Sequence, residues 1–177
     1  NLFIYDWYWY DGEPFLEQAL NDGFLKASNN EKMQFYIMWA NHDVPGKMWN
    51  PYKYKTDTTI WTGKTDRRNF EIIVNRVINK YFKQPNYFKI KDEPVFSIYD
   101  LKLFIESFDG IEGSQSALEY FRDEVKKAGF PGLHVQMIGK YDIVNPTNPV
   151  LFNSNFMEEI QIEEFISLLG INSVTMY

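Results

Sequence analysis

The segment Asp6-Trp7-Tyr8-Trp9-Tyr10-Asp11-Gly12 sets four aromatic rings between two carboxylates, at the end of an apolar run from Leu2 to Tyr5. A core has use for the rings and none for the acids. Sugars use both: their axial C–H faces stack on indoles and phenols, and their hydroxyls donate in pairs to a carboxylate. In a strand, alternation puts Leu2, Ile4 and Asp6 on one face and Phe3, Tyr5 and Trp7 on the other. The plainer reading of the same residues is a bulky strand end with a solvated turn at Asp11-Gly12.

Further polar residues fall where other strands should end. Trp39, Asn41, His42 and Asp43 end a second strand, Tyr99 and Asp100 a third, and Gln136 and Lys140 flank the end of a fourth. Each has a quieter alternative. Asp100 precedes a helical stretch at Leu101 and suits an N-cap. Asn41 suits a turn, and His42 a solvated loop. His134, inside an apolar strand, reads as a satisfied core or interface histidine. Glu158, Glu159, Glu163 and Glu164 read as solvated charge and helix-dipole partners. Ser97 and Ser154 lack the strained Gly-x-Ser-x-Gly turn of a serine hydrolase. Asp6, Asp11, Asp43 and Asp100 offer carboxyl pairs of the kind glycoside hydrolysis needs, with no local motif marking any as catalytic.

The elements that must position these residues alternate. Strands are predicted at Leu2–Trp9, Met33–Ala40, Pro94–Tyr99, Leu133–Ile138 and Asn172–Tyr177. Helical spacing recurs in Phe15, Leu16, Ala19, Leu20 and Phe24. It recurs again from Phe70 to Tyr81, with Asp66 as N-cap and Gln84-Pro85 as stop. A third helix runs from about Ser114 to Ala128 and ends at Gly129. The last carries Ile162, Phe165, Ile166 and Leu169, with Gly170 closing it.

Strands joined by helices predict a parallel α/β sheet. Two architectures fit: an incomplete portion, about five β/α units, of a (β/α)8 TIM barrel, or an open doubly wound five-stranded sheet. The strand-to-helix loops carry neither G-x-G-x-x-G nor a P-loop. The long loop from Asn41 to about Asp66 holds Trp49, Tyr52, Tyr54 and Trp61, and loops of that length are usually functional. Both features favour the barrel portion, whose outer strands would carry unpaired edges. Residues 1–177 read as a single domain.

Composition narrows the function. The net charge is −6, so phosphate neutralisation of a nucleic acid is disfavoured. With no cysteine and two histidines, disulfides, thiol catalysis and a zinc site are disfavoured. No apolar run reaches the length of a membrane span. The 12 Tyr, 15 Phe and 5 Trp are an excess that suits stacking surfaces or a layered core.

Three passages carry a resemblance. They are Ile4 to Gly12, Met38-Trp39-Ala40-Asn41, and Tyr81-Phe82-Lys83-Gln84-Pro85-Asn86-Tyr87-Phe88-Lys89-Ile90 leading to Pro94-Val95-Phe96-Ser97-Ile98-Tyr99-Asp100. They resemble the glycoside hydrolase family 99-like proteins, nearest the WbsX-like branch. The resemblance implies a (β/α)8 barrel and an endo-acting, retaining glycosidase on a bacterial or host polysaccharide, requiring no metal or other cofactor. It implies that the sugar's own 2-hydroxyl attacks, with one glutamate as base and a second as acid, in a motif like Asn-Glu-Trp-x-Glu-Gly. This sequence has no such motif. It is expected to cover roughly the third to seventh strands, with the glutamates after Tyr177.

What it retains is a substrate-binding set: Asp6, Trp7, Tyr8, Trp9, Trp39, Asn41, His42, Tyr99 and Asp100. His42 stands where WbsX-like relatives often carry an acid, which bears on the sugar recognised. The expected partner is an oligosaccharide or polysaccharide, and the resemblance implies an extracytoplasmic location. A non-catalytic glycan-binding protein is the alternative. A polysaccharide-assembly glycosyltransferase ranks last, for want of an Asp-x-Asp motif or phosphate loop.

Overall fold

A computed structural model describes residues 1–139 and 162–176. Lys140, Ser154, Glu158, Glu159, Tyr177 and the side chains of Glu163 and Glu164 lie outside the described residues. The fold is mixed α/β around a mainly parallel sheet. Strand β1 (Leu2–Tyr10) pairs in parallel with β3 (Gln34–Trp39), β3 with β7 (Glu93–Ile98), β7 with β8 (His134–Gly139), and β8 with β9 (Ser173–Met176). These five strands lie side by side in the order of the chain, with no reversal. Two short strands add antiparallel edges: β2 (Glu13–Phe15) on β1 and β6 (Lys89–Ile90) on β7. A separate hairpin joins β4 (Val44–Pro45) to β5 (Thr59–Trp61).

The long helical periodicities fold as the spacing dictates. Helix α2 (Arg67–Val77) begins where Asp66 accepts a hydrogen bond from the Asn69 N–H at 2.7 Å, and runs on through a π-helical turn at Ile78–Phe82. Helix α4 (Ile111–Lys127) buries Leu118, Phe121 and Val125. Helix α5 (Ile162–Leu169) ends at Gly170. A four-residue helix α1 (Gly46–Trp49) sits in the long loop, and α3 (Leu101–Ser107) follows β7.

One expectation is overturned. The helix read from Phe15 to Phe24 shrinks to a π-helical turn at Ala19–Gly23 and a 3-10 turn at Phe24–Lys26. Phe15 instead lies in β2, opposite Tyr8. The cause is the two-residue turn: Asp11 and Gly12 both take positive φ, 52° and 79°, which is the type I′ geometry that closes a hairpin.

Pairing register sorts the side chains into two faces. Trp7, Trp39, Ile98 and Met137 form one row, and Ile37, Phe96 and Val135 the row below it. Both rows join one buried cluster with Phe70, Val74, Phe104, Phe121 and Phe165 of the helices. The opposite face carries the row Asp6, Met38, Ser97, Gln136 and Ser173. Polar bonds cross it: the Tyr36 hydroxyl donates to Gln136 Oε1 (3.0 Å), and His134 Nε2 lies 2.8 Å from Ser173 Oγ. His134 is thus a satisfied, buried histidine. The sheet therefore has an apolar face against the helices and a polar face away from them, and Asp6 is on the polar one.

Candidate functional site

Parallel strands deliver their carboxyl ends to one edge, and here that edge gathers Asp6 and Tyr8 from β1, Asn41 and His42 after β3, and Tyr99 and Asp100 after β7. Asp6 is half-buried, and its carboxylate makes no hydrogen bond among the described residues. Burial raises its pKa, and the nearby His42 offsets part of that rise. The His42 ring lies edge-on to both Tyr8, at 6.0 Å, and Tyr99, at 5.5 Å. Its Nδ1 lies 2.9 Å from the Asp43 carbonyl. A carbonyl can only accept, so Nδ1 carries a proton, and Nε2 is the ring's remaining polar atom.

The loops around this group are fastened to one another. Asn41 is buried and exchanges two hydrogen bonds with the backbone of Asp100: its Nδ2 donates to the carbonyl at 2.7 Å, and its Oδ1 accepts from the N–H at 2.8 Å. The amide side chain thus extends the β3–β7 ladder beyond its last backbone pair. Asp100 in turn caps α3, accepting from the Leu103 N–H at 2.9 Å. Tyr10 donates its hydroxyl to the His42 carbonyl at 3.0 Å. Asp43 accepts from the Thr62 hydroxyl (2.9 Å) and the Gly63 N–H (2.8 Å), tying the β4–β5 hairpin to the end of β3. Gly63 presses so close that a Cβ there would lie 2.5 Å from the His42 backbone nitrogen.

The chain matches the family profile described as Glycosyltransferase WbsX over residues 1–169. It belongs to the WbsX family. No curated protein and no solved structure matches it. Membership supports a carbohydrate-active protein.

Within this WbsX chain the three predicted indoles take a different place from the acid. Trp7 and Trp39 are 0% and 1% exposed and offer no face to a ligand here, while Trp9, 6% exposed in the same helix-side cluster, borders a pocket with Asp11, Thr62 and Asn69. The three indoles form the packed floor on which the site residues stand. Trp7 and Trp9 stack at 5.8 Å, and Trp39 packs against Phe70, Phe96 and Phe104.

Sequence reasoning missed the residue that anchors this floor. Glu17 is buried, and its Oε1 accepts from Trp7 Nε1 (2.8 Å), Arg76 Nε (2.8 Å) and the Tyr81 hydroxyl (2.8 Å). Its Oε2 accepts from Arg76 Nη2 (2.6 Å), Asn21 (3.0 Å) and Lys80 (3.1 Å). Burial alone would raise its pKa, but the bonds from Arg76, Trp7, Tyr81 and Lys80 together carry it far below the ordinary carboxylate value. Tyr81 opens the most specific passage of the resemblance, and Tyr87 in the same passage is also structural. The Tyr87 hydroxyl donates to the Val95 carbonyl at 2.6 Å and accepts from the Ile37 N–H at 3.3 Å, stitching β7 to β3. No local pattern announces Glu17, because its partners Arg76, Lys80 and Tyr81 lie 59 to 64 residues away in sequence.

Also missed was an aromatic wall beside Tyr8. Tyr10 stacks on Trp61 at 5.9 Å, Phe15 tilts against Trp61 at 5.2 Å, and Trp49 meets Trp61 edge-on at 5.0 Å. The signal was present in the aromatic loading of the loop between Asn41 and Asp66. The hairpin that brings Phe15 to it was not foreseen.

Proposed function

We propose that this chain forms the glycan-binding side of a glycoside hydrolase acting on a polysaccharide, built on an arc of a (β/α)8 barrel. The carrying observation is Asp6: a half-buried carboxylate with no hydrogen-bond partner among the described residues, held beside Tyr8, His42 and Tyr99 at the carboxyl ends of parallel strands. Leaving a carboxylate partly desolvated and unpaired costs free energy that a ligand's hydroxyls would return. Asp6 binds a sugar through paired hydroxyls, and Tyr8 and Tyr99 supply ring faces. Asn41 and Asp100 hold the two loops, and the buried indoles support them. The sequential strand order supports the barrel, because a doubly wound sheet reverses its order at the ligand crevice. The polar face opposite the helices would then line the barrel interior.

The family's description favours a second reading, a glycosyltransferase. The two separate in one assay pair. Incubation with polysaccharides should release reducing ends, and Asp6→Ala should weaken binding of the same polysaccharide. Transfer of sugar from a nucleotide donor, with no reducing ends released, would establish the transferase instead.

A further inference from the structure

Beside Tyr8 lies a pocket of about 210 Å³ walled by Tyr8, Tyr10, Phe15, His42, Trp49 and Trp61. Leu16, Val44 and Met48 also line it, so among the described residues the lining has no carboxylate, side-chain amide, ammonium or aliphatic hydroxyl. Its side-chain polar atoms are few, all on aromatic rings, and two of them are committed. The Tyr10 hydroxyl is given to the His42 carbonyl, and His42 Nδ1 to the Asp43 carbonyl. The rim is unusually apolar for a surface: Met48 is 76%, Leu16 53% and Trp49 52% exposed. Leu16 also holds a left-handed φ of 58°, a conformation that a branched side chain adopts at a cost. The pocket differs in chemistry from the Asp6 group and shares Tyr8 and His42 with it.

We propose that this pocket is a subsite for a sugar bearing a methyl-terminated substituent: the methyl of a deoxyhexose or of an N-acetyl group. The inference rests on the glycan-binding reading of the Asp6 site and names the substrate class. A fully hydroxylated ring placed here would surrender most of its water bonds to walls that are mainly ring faces and aliphatic carbon, with a few ring N–H and O–H groups to replace them. A methyl group gives up nothing and gains dispersion contact with Trp49, Trp61 and Phe15. With one sugar held by its hydroxyls at Asp6, the substituent of its neighbour enters the pocket across Tyr8. Two sites of opposite polarity side by side would select for a repeating unit that alternates a hydroxyl-rich with a methyl-bearing residue.

The test uses the indole N–H resonances of Trp49 and Trp61 in the isotope-labelled protein. L-Rhamnose is titrated against L-mannose, which differs only by a hydroxyl on the methyl carbon, and N-acetylglucosamine against glucose. In at least one pair the methyl-bearing member should shift the Trp49 and Trp61 signals and bind about tenfold or more tightly than its hydroxylated partner. The pair that discriminates identifies the substituent. Trp61→Ala should abolish that preference. Trp49→Ala, at the exposed rim, should weaken it and provides a variant with little burden on folding. Equal affinity within both pairs, or shifts confined to other residues, would overturn the proposal. Polysaccharide binding that still depends on Asp6 under that outcome would leave the glycan-binding reading standing, whereas binding indifferent to Asp6→Ala would remove the reading itself.

Discussion

Asp6 and Glu17 are two partly or fully buried carboxylates on either side of the same strand-and-hairpin unit, and their surroundings are opposite. Glu17 sits on the helix side with every acceptor position used by Trp7, Asn21, Arg76, Lys80 and Tyr81. Asp6 sits on the polar side with no hydrogen bond among the described residues. Their pKa values move apart accordingly, Glu17 down and Asp6 up. A saturated carboxylate is committed to the fold, while an unsatisfied one is kept at some cost to stability. The contrast teaches that burial alone does not say whether an acid is committed to the fold, and that the inventory of donors does.

The largest way to break the comparison is to remove Glu17. Glu17→Ala leaves the Arg76 guanidinium, the Tyr81 hydroxyl and the Trp7 indole N–H without their acceptor, and should cost about 3–5 kcal/mol in urea unfolding. Loss below about 1 kcal/mol would mean that the network is ornamental. Next comes Asn41→Ala, which deletes two hydrogen bonds to the Asp100 backbone in a buried setting. A cost of about 1–3 kcal/mol is expected, together with weaker glycan binding as the β3 and β7 loops part. Asp6→Asn should be smallest, within about 0.5 kcal/mol of the parent or slightly stabilising, because no partner is lost.

The pH dependence sharpens the same contrast. Glu17 has a depressed folded pKa, so its stabilisation is fully present above the ordinary value near 4.5 and is lost as pH falls through the lower folded value. Asp6 has a folded pKa above its ordinary 3.8, so its contribution has the opposite sign: stability declines as pH rises through that window. Glu17→Gln should therefore flatten the acid-side loss of stability. Asp6→Asn should remove a penalty that is present at neutral pH. Unfolding free energies across the acid range for the parent and both variants would check this, and parallel curves for all three would contradict it.

Much of the frame was legible in the sequence because it rests on repeated local patterns. The five parallel strands, α2 with its Asp66 cap, and α4 followed by Gly129 all came from periodicity and capping. Phe15 was misread because its helical spacing to Ala19 competed with a stronger local signal, the Asp11-Gly12 turn, which folded it back onto Tyr8. The indoles show a different limit. Alternation correctly divided Asp6 from Trp7, but it cannot say which face meets the helices. Only packing put Trp7, Trp9 and Trp39 inward and left Asp6 and Tyr8 on the other side. Glu17 and the Trp49–Trp61 wall depend on contacts between distant segments, for which a single chain carries no local mark.

The most direct test of the account is calorimetric titration of a bound polysaccharide-derived oligosaccharide into the parent protein and the Asp6→Asn variant, with unfolding measured on the same samples. The account predicts a loss of about tenfold to a hundredfold in affinity, the range for hydrogen bonds to a charged group, with stability unchanged. Unchanged affinity in a folded Asp6→Asn protein would contradict it.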